Sequence, residues 1–379
     1  MRKGWEYKKL GEVLETTSGG TPSKSHKEYY EGGTIPWLRS GEVSKGDIYD
    51  AELYITEKGL KKSSAKLFPI DTVLIAMYGA TVGQVGILKS TMCTNQAICG
   101  ILPNKDFHPN FLKYVLLANK KNYLKQAMGG AQPNISQQVI KSTYIPIVKF
   151  SEQESVVSEL DKINELIRLK KEQLKDFDNL AQSLFYEMFG DPVENEKGWE
   201  VKKLGDVCTF SQGMQVPIEN QKEIQNEGDV RFLRIIDFTQ GKDAPRYVEC
   251  DNDKYILHEK EIAIVRYGTP GFICTGKIGA IANNLFKLNP VSDNIFVFEY
   301  LVHWLSTDAF QLSIKGKQYG AALQAIKFST IQNIEIILPP LPLQRLFAQR
   351  IEQIEREKSE VQKSIQDLET LLASRMQYW

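Results

Sequence analysis

The stretch of this sequence that comes nearest to a catalytic motif is GFICTGKI at Gly271–Ile278. It almost matches the phosphate-binding loop G-x4-G-K-[ST], in which a lysine and backbone N–H groups hold phosphates and a hydroxyl residue holds Mg²⁺. Ile278 stands where the hydroxyl residue is needed, and the Gly-Ala-Ile-Ala that follows does not resemble a phosphate-capping helix. We therefore interpret the stretch as a glycine-rich turn between strands. The alternative is a nucleotide-dependent enzyme that uses Lys277.

Other residue types that commonly carry chemistry are dispersed along the chain. The five cysteines form no CxxC pair, and the Asn/Asp-Pro-Pro-aromatic motif of amino-methyltransferases does not occur. The four histidines are far apart, at His26, His108, His258 and His303. Because metal sites need clustered ligands, we expect no metal site, and we expect the thiols to be reduced.

Composition and charge describe a globular chain of two to three domains. The 379 residues carry 47 basic and 47 acidic side chains. Residues 1–150 contain 20 Lys and Arg against 12 Asp and Glu, whereas residues 191–340 contain 16 against 20. The first segment could therefore face phosphate, and acidic surface elsewhere could face a protein partner. No run approaches the ~18 apolar residues of a membrane span, so we expect a cytoplasmic protein.

The sequence repeats itself once. GWEYKKLG at Gly4–Gly11 returns as GWEVKKLG at Gly198–Gly205. Trp37-Leu38-Arg39 is echoed by Phe232-Leu233-Arg234, and Tyr78-Gly79 by Tyr267-Gly268. A single repeat with so long a period indicates the duplication of a whole domain.

The end of each repeat carries apolar residues at alternating steps of three and four. This heptad seam predicts two long helices that pair as a coiled coil. The predicted seam residues are Leu160, Ile163, Ile167, Leu174, Phe177 and Leu184 in the first helix and Ile351, Ile354, Val361, Ile365, Leu368 and Leu372 in the second. Lys170 and Lys358 interrupt the seam; their stems would pack while their ammonium groups reach solvent, or else they fix the pairing register.

The two bodies that precede these helices contain short β-branched runs separated by glycine-rich turns, with a few helical patches. We predict strands at Thr72–Met77, Tyr144–Val148, Glu261–Val265 and Ile334–Leu338, and helices at Phe111–Ala118 and Phe298–Leu305. Each body is therefore expected to be a mixed α/β domain built around a curved sheet. The fold class is α+β.

Antiparallel pairing of the two helices would place one body at each end of the coiled coil, as a pseudo-two-fold molecule. A helix of about 38 residues is about 57 Å long. One turn of B-DNA spans about 34 Å. Such a rod could hold two globular readers a turn or more apart on a duplex.

The order body–helix–body–helix, with GW..KKLG opening each body, resembles the specificity subunit of type I restriction-modification systems. Further stretches typical of that family are YGATVGQVGI at Tyr78–Ile87, GGAQPNIS at Gly129–Ser136 and FGDP at Phe189–Pro192. The second body departs from the pattern, with YGTPGFICTGKIGA at Tyr267–Ala280 and GAALQAIKFS at Gly320–Ser329. Such divergence is what two readers of different half-sites would show.

The resemblance implies that each body is a target-recognition domain for one half of a bipartite sequence in double-stranded DNA. It implies that the helices set the half-site spacing and dock two methyltransferase subunits, which bind S-adenosylmethionine and methylate an extruded adenine. A restriction (translocase) subunit would join them for cleavage. The chain itself would supply no catalysis and bind no cofactor. The implied domains are 1–150 and 191–340 for recognition, with spacer helices at 151–190 and 341–379.

Bases are read by Arg, Lys, Asn and Gln, and phosphates are held by Lys, Arg, Ser and Thr. Our candidates in the first body are Lys24, Ser25, Arg39, Ser40, Tyr78, Thr81, Gln84, Gln132 and Asn134. Those in the second body are Gln212, Gln215, Arg234, Arg266, Tyr267, Thr269, Lys315, Lys317, Gln318 and Tyr319. For each residue the alternative is a structural or solvated role: an ion pair for the matched arginines, and core packing for the matched tyrosines. A third reading of the whole chain is a coiled-coil adaptor whose bodies bind proteins.

Overall fold

The computed structural model describes residues 4–127, 133–240, 244–315 and 325–378. The chain divides into two compact units, Met1–Lys171 together with Lys363–Trp379, and Glu172–Gln362. Each unit therefore contains one of the two repeated bodies and a part of each long helix.

The first unit is an α+β domain. Its strands are β1 (Glu6–Lys9), β2 (Thr16–Ser18), β3 (Ile35–Leu38), β4 (Asp47–Ile48), β5 (Tyr54–Ile55), β6 (Leu67–Phe68), β7 (Val73–Ala76), β8 (Val85–Leu88), β9 (Met92–Thr94), β10 (Ile98–Ile101) and β11 (Tyr144–Ile147). Its short helices are α1 (Leu10–Val13), α2 (Glu57–Lys61), α3 (Pro109–Ala118), α4 (Lys120–Gln126) and α5 (Gln137–Lys141), and α6 (Phe150–Phe189) is the first long helix.

The predicted curved sheet of the first body is in fact two stacked sheets with a separate two-stranded pair. The sheets have the orders β2-β10-β7-β8-β4 and β5-β3-β9-β6, and β1 pairs with β11. Alternate residues of β7 enter different cores, Val73 and Ile75 on one face and Leu74 and Ala76 on the other. A strand buried on both faces reads as a continuous apolar run, which is why the sequence showed the strand without revealing the second layer.

The second unit repeats this plan. Its strands are β12 (Glu200–Lys203), β13 (Cys208–Gln212), β14 (Asp229–Leu233), β15 (Arg246–Glu249), β16 (Ile256–Leu257), β17 (Ile262–Val265), β18 (Ile273–Cys274), β19 (Gly279–Ile281), β20 (Leu285–Pro290) and β21 (Glu335–Leu338). Its short helices are α7 (Leu204–Val207), α8 (Ile235–Thr239), α9 (Phe298–Ser306), α10 (Asp308–Lys315) and α11 (Phe328–Gln332), and α12 (Leu341–Tyr378) is the second long helix, which belongs to this unit up to Gln362.

The two units share their strand pairings. In the second unit the sheet orders are β13-β20-β17-β18 and β15-β14-β19-β16, with β12 paired to β21. The parallel pair β3–β9 of the first unit corresponds to the parallel pair β14–β19 of the second. The predicted strands and short helices are all present, with ends that differ by one or two residues. The duplication read from the sequence is therefore a duplication of the fold.

Both predicted long helices form, and α6 ends immediately before the Gly190-Asp191-Pro192 stop. Buried seam residues are Leu160, Ile163, Ile167, Leu184, Ile351, Ile354, Val361 and Ile365, and half-buried ones are Leu174, Phe177, Leu368 and Leu372. Among the described residues, no helix is long and apolar enough to cross a membrane.

Ion pairs define the direction of the helices within the first unit. Arg375 Nε lies 3.0 Å from Glu159 Oε1, and Lys171 Nζ lies 2.7 Å from Glu369 Oε1. Residue numbers on α12 fall as those on α6 rise, so the two helices run antiparallel there, as predicted.

Lys358 packs its stem while its ammonium group reaches carboxylates. Its Nζ lies 2.9 Å from Asp178 Oδ1 on α6 and 2.8 Å from Glu355 Oε1 on its own helix. Burial would lower the pKa of Lys358, but these hydrogen bonds outweigh it and raise the pKa above its usual value. Ala181 and Lys358 line the same small cavity, so a small residue on α6 leaves room for the stem.

One cavity of the first unit shows where the two repeats differ in packing. It has a volume of about 510 Å³ and is lined by Phe111, Val156, Leu160 and Met376, among others. In the second unit the residues equivalent to Phe111 and Val156 are Tyr300 and Phe347. The ring of Phe189 packs on them, at 4.8 Å from Tyr300 and 5.2 Å from Phe347, and is fully buried.

Candidate nucleic-acid interface

Five loops converge at one edge of the stacked sheets in the first unit. They hold residues 19–25, 39–40, 78–84, 95–97 and 133–136. Backbone hydrogen bonds connect them, among which are Gly20 N to Thr94 O (2.9 Å), Asn95 N to Leu38 O (3.0 Å), Met77 N to Ala97 O (2.8 Å) and Ile135 N to Met77 O (2.9 Å). Because each loop is fixed to its neighbour, the polar side chains on these loops share one surface.

The second unit builds the corresponding surface with corresponding bonds. They join Met214 N to Ile281 O (2.9 Å), Ala282 N to Leu233 O (2.9 Å), Arg266 N to Asn284 O (2.8 Å) and Ile326 N to Arg266 O (2.9 Å). The two loop surfaces thus have the same backbone frame and different side chains.

One glycine in each unit permits this convergence. A Cβ placed on Gly19 would lie 2.6 Å from Asn95 O and closer still to Thr94, and a Cβ on Gly213 would lie 2.7 Å from the carbonyl carbon of Ala282. Both distances are far shorter than van der Waals contact. The repeated glycine therefore lets two loop backbones touch.

Most of the predicted residues in the first body lie on the loop surface. Lys24 and Ser25 are exposed, and the Ser25 hydroxyl lies 2.7 Å from that of Ser23. Tyr78 is 44% exposed and forms an isolated β-bridge with Asn134. Thr81 donates its hydroxyl to the Tyr78 carbonyl, at 3.1 Å. The structure thus brings the two predicted glycine-rich loops together.

Tyr78 and Asn134 also form a shallow cleft. Residues 133–136 and Tyr78 line a cavity of about 290 Å³. Gln84 is half-buried beside this loop, where its carbonyl accepts a backbone hydrogen bond from Ala76 N (3.0 Å). An aromatic face and an amide at the rim of a cleft are groups that can contact a base edge or sugar.

Arg39 and Ser40 begin a 3₁₀ turn at the end of β3. The Arg39 guanidinium lies 2.6 Å from Glu52 Oε2, and Arg39 N donates to Glu42 Oε1 at 3.1 Å. The hydrogen bond from Arg39 holds the pKa of Glu52 below its usual value. Arg39 therefore has the structural ion pair that was the alternative to a DNA contact.

Arg234, its repeat partner, is also ion-paired. Asp237 is buried, with Arg231 at 2.6 Å and Arg234 Nε at 3.1 Å from its carboxylate. Burial raises the pKa of Asp237, but hydrogen bonds from Arg231 and Arg234 outweigh it and leave the pKa below its usual value. Both matched arginines are thus ion-paired with a carboxylate of their own unit.

The remaining candidates of the second body divide into held and exposed groups. Arg266 donates to the Ile326 carbonyl (3.1 Å) and lies over the ring of Phe328, so it is held in the frame. Gln212 and Tyr267 bond to the backbone and side chain of Asn283, both at 3.0 Å. Gln215 and Thr269 are exposed.

Some predicted residues fall outside the described part of the chain. These are Gln132 in the first body and Lys317, Gln318 and Tyr319 in the second, together with the side chain of Lys315.

The prediction missed a lysine-rich connection in the first unit. Residues 56–66, TEKGLKKSSAK, join β5 to β6 and lie beside the loop of residues 19–25, where Lys66 Nζ donates to Thr17 Oγ1 of the preceding strand at 2.6 Å. Clustered lysines and serines are a sequence signal for phosphate contact, but only the fold places this segment at the loop surface.

The near-match to a phosphate-binding loop is a turn between strands. β18 and β19 flank Gly276, and Lys277 Nζ donates to the backbone carbonyl of Asp237 at 2.7 Å. A phosphate-binding loop instead opens a helix. The interpretation as a glycine-rich turn is confirmed, and Lys277 stabilises the α8 segment.

Two copies of one α+β domain, each with a polar loop surface and each followed by a long helix, define a duplicated recognition protein. The chain belongs to the family described as type I restriction modification DNA specificity domain, which it matches over residues 2–176 and again over 196–370. The resemblance stated from the sequence is confirmed.

Relatives of known name agree with this assignment. The chain is 29% identical to the type I restriction enzyme MjaIX specificity subunit of Methanocaldococcus jannaschii, covering 91% of this chain and 85% of that one. It is 22% identical to the StySPI specificity subunit of Salmonella potsdam, covering 99% and 87%.

Solved structures share the fold. One, from work on complex assembly and conformational transition of the type I R-M system, has a TM-score of 0.67 at 22% identity and covers 99% of this chain and 97% of its own. The S subunit of M. genitalium gives a TM-score of 0.52 at 14% identity, covering 99% and 96%.

Proposed function

We propose that this chain is the DNA-recognition subunit of a type I restriction-modification complex and that each unit reads one half of a bipartite target. The observation that carries the proposal is the repeated loop surface, because its backbone frame is shared while its side chains differ. Shared frames suit a common docking geometry, and different side chains suit different base sequences.

Base readout then belongs to the exposed, unmatched residues. Asn134 in the first unit and Gln215 and Thr269 in the second are exposed and carry groups that can bond to base edges. Arg39 and Arg234 are matched and ion-paired, so we assign them to the frame of each surface.

The long helices are proposed to set the half-site spacing and to dock two methyltransferase subunits, with a restriction subunit joining the complex. In the first unit Leu166, Leu169 and Leu371 are each more than 40% exposed, and in the second unit Leu180 is 51% exposed. Apolar side chains on an otherwise charged helix are suited to a protein partner.

The chemistry is proposed to reside in those partners. The methyltransferase subunits would bind S-adenosylmethionine and methylate an extruded adenine, so this chain contributes specificity and no catalytic group. We place the complex in the cytoplasm, with this chain's five cysteines as free thiols.

A methylation map tests the recognition proposal. Adenine methylation is mapped genome-wide with this gene intact and deleted, while expression of the methyltransferase subunits is verified. Loss of methylation at one gapped, two-part motif on deletion is expected. Replacing residues 1–150 with those of a relative should then change one half of the motif only. An unchanged map with active partners would contradict the proposal and favour the protein-binding adaptor.

Partner docking is tested separately by co-purification. Leu166→Gln with Leu169→Gln should reduce the methyltransferase subunits recovered with the chain, measured by native mass spectrometry. Lys162→Gln, an exposed polar change on the same helix, is the control. Equal recovery of the two variants would show that the exposed leucines do not form the docking surface.

A further inference from the structure

The two units differ in charge at equivalent positions of the same fold. In the first unit, residues 56–66 connect β5 to β6, and in the second, residues 250–255 connect β15 to β16. The flanking strands correspond because β5 and β15 pair with the equivalent strands β3 and β14, and β6 and β16 pair with β9 and β19. The lengths and charges of the two connections can therefore be compared directly.

The connection of residues 56–66 lies against the loop of residues 19–25. A Cβ on Gly20 would overlap the backbone of Ser64, so the structure has no space for a side chain at position 20. Met214 occupies the equivalent position in the second unit, since its N–H makes the equivalent bond to Ile281 O. Gly20 thus lets the backbone of Ser64 lie directly against its loop, whereas the shorter connection of the second unit is joined to β13 by a hydrogen bond from the Ser211 hydroxyl to the Lys254 carbonyl, at 3.4 Å.

Two further contacts fix the connection there. Lys66 Nζ donates to Thr17 Oγ1 on β2 at 2.6 Å, and the Thr56 hydroxyl donates to the Glu28 carbonyl at 2.9 Å. The connection and the loop of residues 17–31 therefore form one continuous surface, which we call the lysine face.

The lysine face carries six lysines against three glutamates. The lysines are Lys24, Lys27, Lys58, Lys61, Lys62 and Lys66, and all are exposed. The equivalent segments of the second unit, residues 211–228 and 250–255, carry two lysines against five acidic residues. The ion pairs Lys58–Glu28 and Lys61–Glu57 are both 3.5 Å long and exposed, so water and salt screen them and the lysines stay available to another anion.

We propose that the lysine face binds backbone phosphates of the DNA duplex beside the first half-site, and that the second unit has no equivalent contact in these segments. The inference rests on the proposed function and adds an asymmetry to it. Phosphate contacts hold a protein in register on the duplex without reading sequence. The first unit then contributes a salt-sensitive part of the affinity that the equivalent segments of the second unit do not, and the second unit binds its half-site through other loops.

The effect on salt dependence follows from counterion release. Each phosphate contact contributes about 0.9 to the slope of log K against log salt. Loss of three contacts lowers the slope by about 2.7, so a rise from 50 to 200 mM salt weakens the wild type about 40-fold more than the variant.

The experiment compares two triple variants of equal charge change in the assembled complex with its methyltransferase partners. The test variant is K27A/K61A/K62A, which leaves the Lys66 hydrogen bond to Thr17 in place. The control is K8A/K9A/K105A, which removes three exposed lysines of the same unit on β1 and on the turn before α3. Both sets are exposed, so changes in stability should stay within about 0.5 kcal/mol. Affinity for a random-sequence 50-base-pair duplex is measured from 50 to 200 mM salt.

We expect the test variant alone to lose slope and affinity. Equal slopes for the test variant and the wild type, or an equal loss in the control, would overturn the proposal, as would the absence of measurable duplex binding by the wild-type complex. The random duplex reports phosphate contact only. If the test variant keeps the wild-type slope but the methylation map shows a two-part motif, the lysine-face proposal is wrong and the recognition proposal is retained. If the test variant loses slope but the methylation map does not change on deletion, the recognition proposal is contradicted.

Discussion

Gly19→Ala tests whether the contact between two loops supports recognition of one half-site. The added Cβ would lie 2.6 Å from Asn95 O and closer to Thr94, so one backbone must move by about 1 Å to reach ordinary contact. Overpacking of this kind costs about 1–3 kcal/mol. An alanine also lowers the conformational entropy of the unfolded chain, which stabilises the folded state by about 0.4–1 kcal/mol. The clash exceeds that gain, so we expect the loops to separate.

Separation would break the hydrogen bond from Gly20 N to Thr94 O and displace the loop that carries Lys24 and Ser25. Only the first unit contains these residues. Complexes with Gly19→Ala should therefore methylate duplexes with a lower dependence on the first half of the motif, at unchanged discrimination in the second half.

The assay measures methyl transfer to duplexes in which either half of the motif is scrambled. Gly213→Ala is the reciprocal variant, because its Cβ would meet Ala282 in the second unit, and Gly41→Ala is the neutral control, with nothing within 4 Å. If Gly19→Ala and Gly213→Ala alter the same half, or if Gly41→Ala acts as they do, the assignment of one loop surface to one half-site is refuted.

Three further predictions concern packing, charge and thiols. Phe189→Ala should lower the stability of the second unit by about 3–5 kcal/mol. Val156→Phe would place a ring in the 510 Å³ cavity of the first unit and should stabilise the first unit by about 0.5–2 kcal/mol. Hydrogen exchange resolved by unit measures both changes, and a gain in stability for Phe189→Ala would refute the comparison of the two units. Because the pKa of Asp237 is lowered in the folded protein, its stabilising effect is full above the ordinary carboxyl pKa and is lost as pH falls through the folded value; Asp237→Asn should cost about 2 kcal/mol at neutral pH and flatten the acid limb of a stability–pH curve. A thiol reagent at pH 8 should label Cys250 alone in the native protein and all five cysteines after denaturation, since labelling follows thiolate character and access; fast native labelling of a second cysteine would contradict the structure. Burial raises the pKa of the other four thiols, to about 11 at Cys93 and about 12 at Cys99, Cys208 and Cys274.

Local pattern was sufficient for the repeat and the elements. The steps of three and four gave α6 and α12, and Gly190-Asp191-Pro192 marked the end of α6. Continuous apolar runs located β7 and β17, because such runs report burial whatever lies on either side. The same runs could not show that two sheets stack. A strand buried between a helix layer and a second sheet gives the same apolar pattern as a buried strand in a single curved sheet.

The two loop surfaces were only partly foreseen. Residue type identified Lys24, Tyr78 and Asn134 as exposed polar candidates, and the fold brings the last two together. Residue type could not separate them from Arg39 and Arg234, whose carboxylate partners Glu52 and Asp237 are identified only by the folded structure.

By itself, therefore, the sequence determined the duplication, the heptad seam and the glycines that repeat, all of which are properties of neighbouring residues or of one segment compared with another. The tertiary structure alone decided which loops share a surface and why 56–66 lies against Gly20. The physical reason is that this surface is built by backbone hydrogen bonds and close contacts between segments distant in the chain, and the strength of those contacts depends on distances that no single segment encodes.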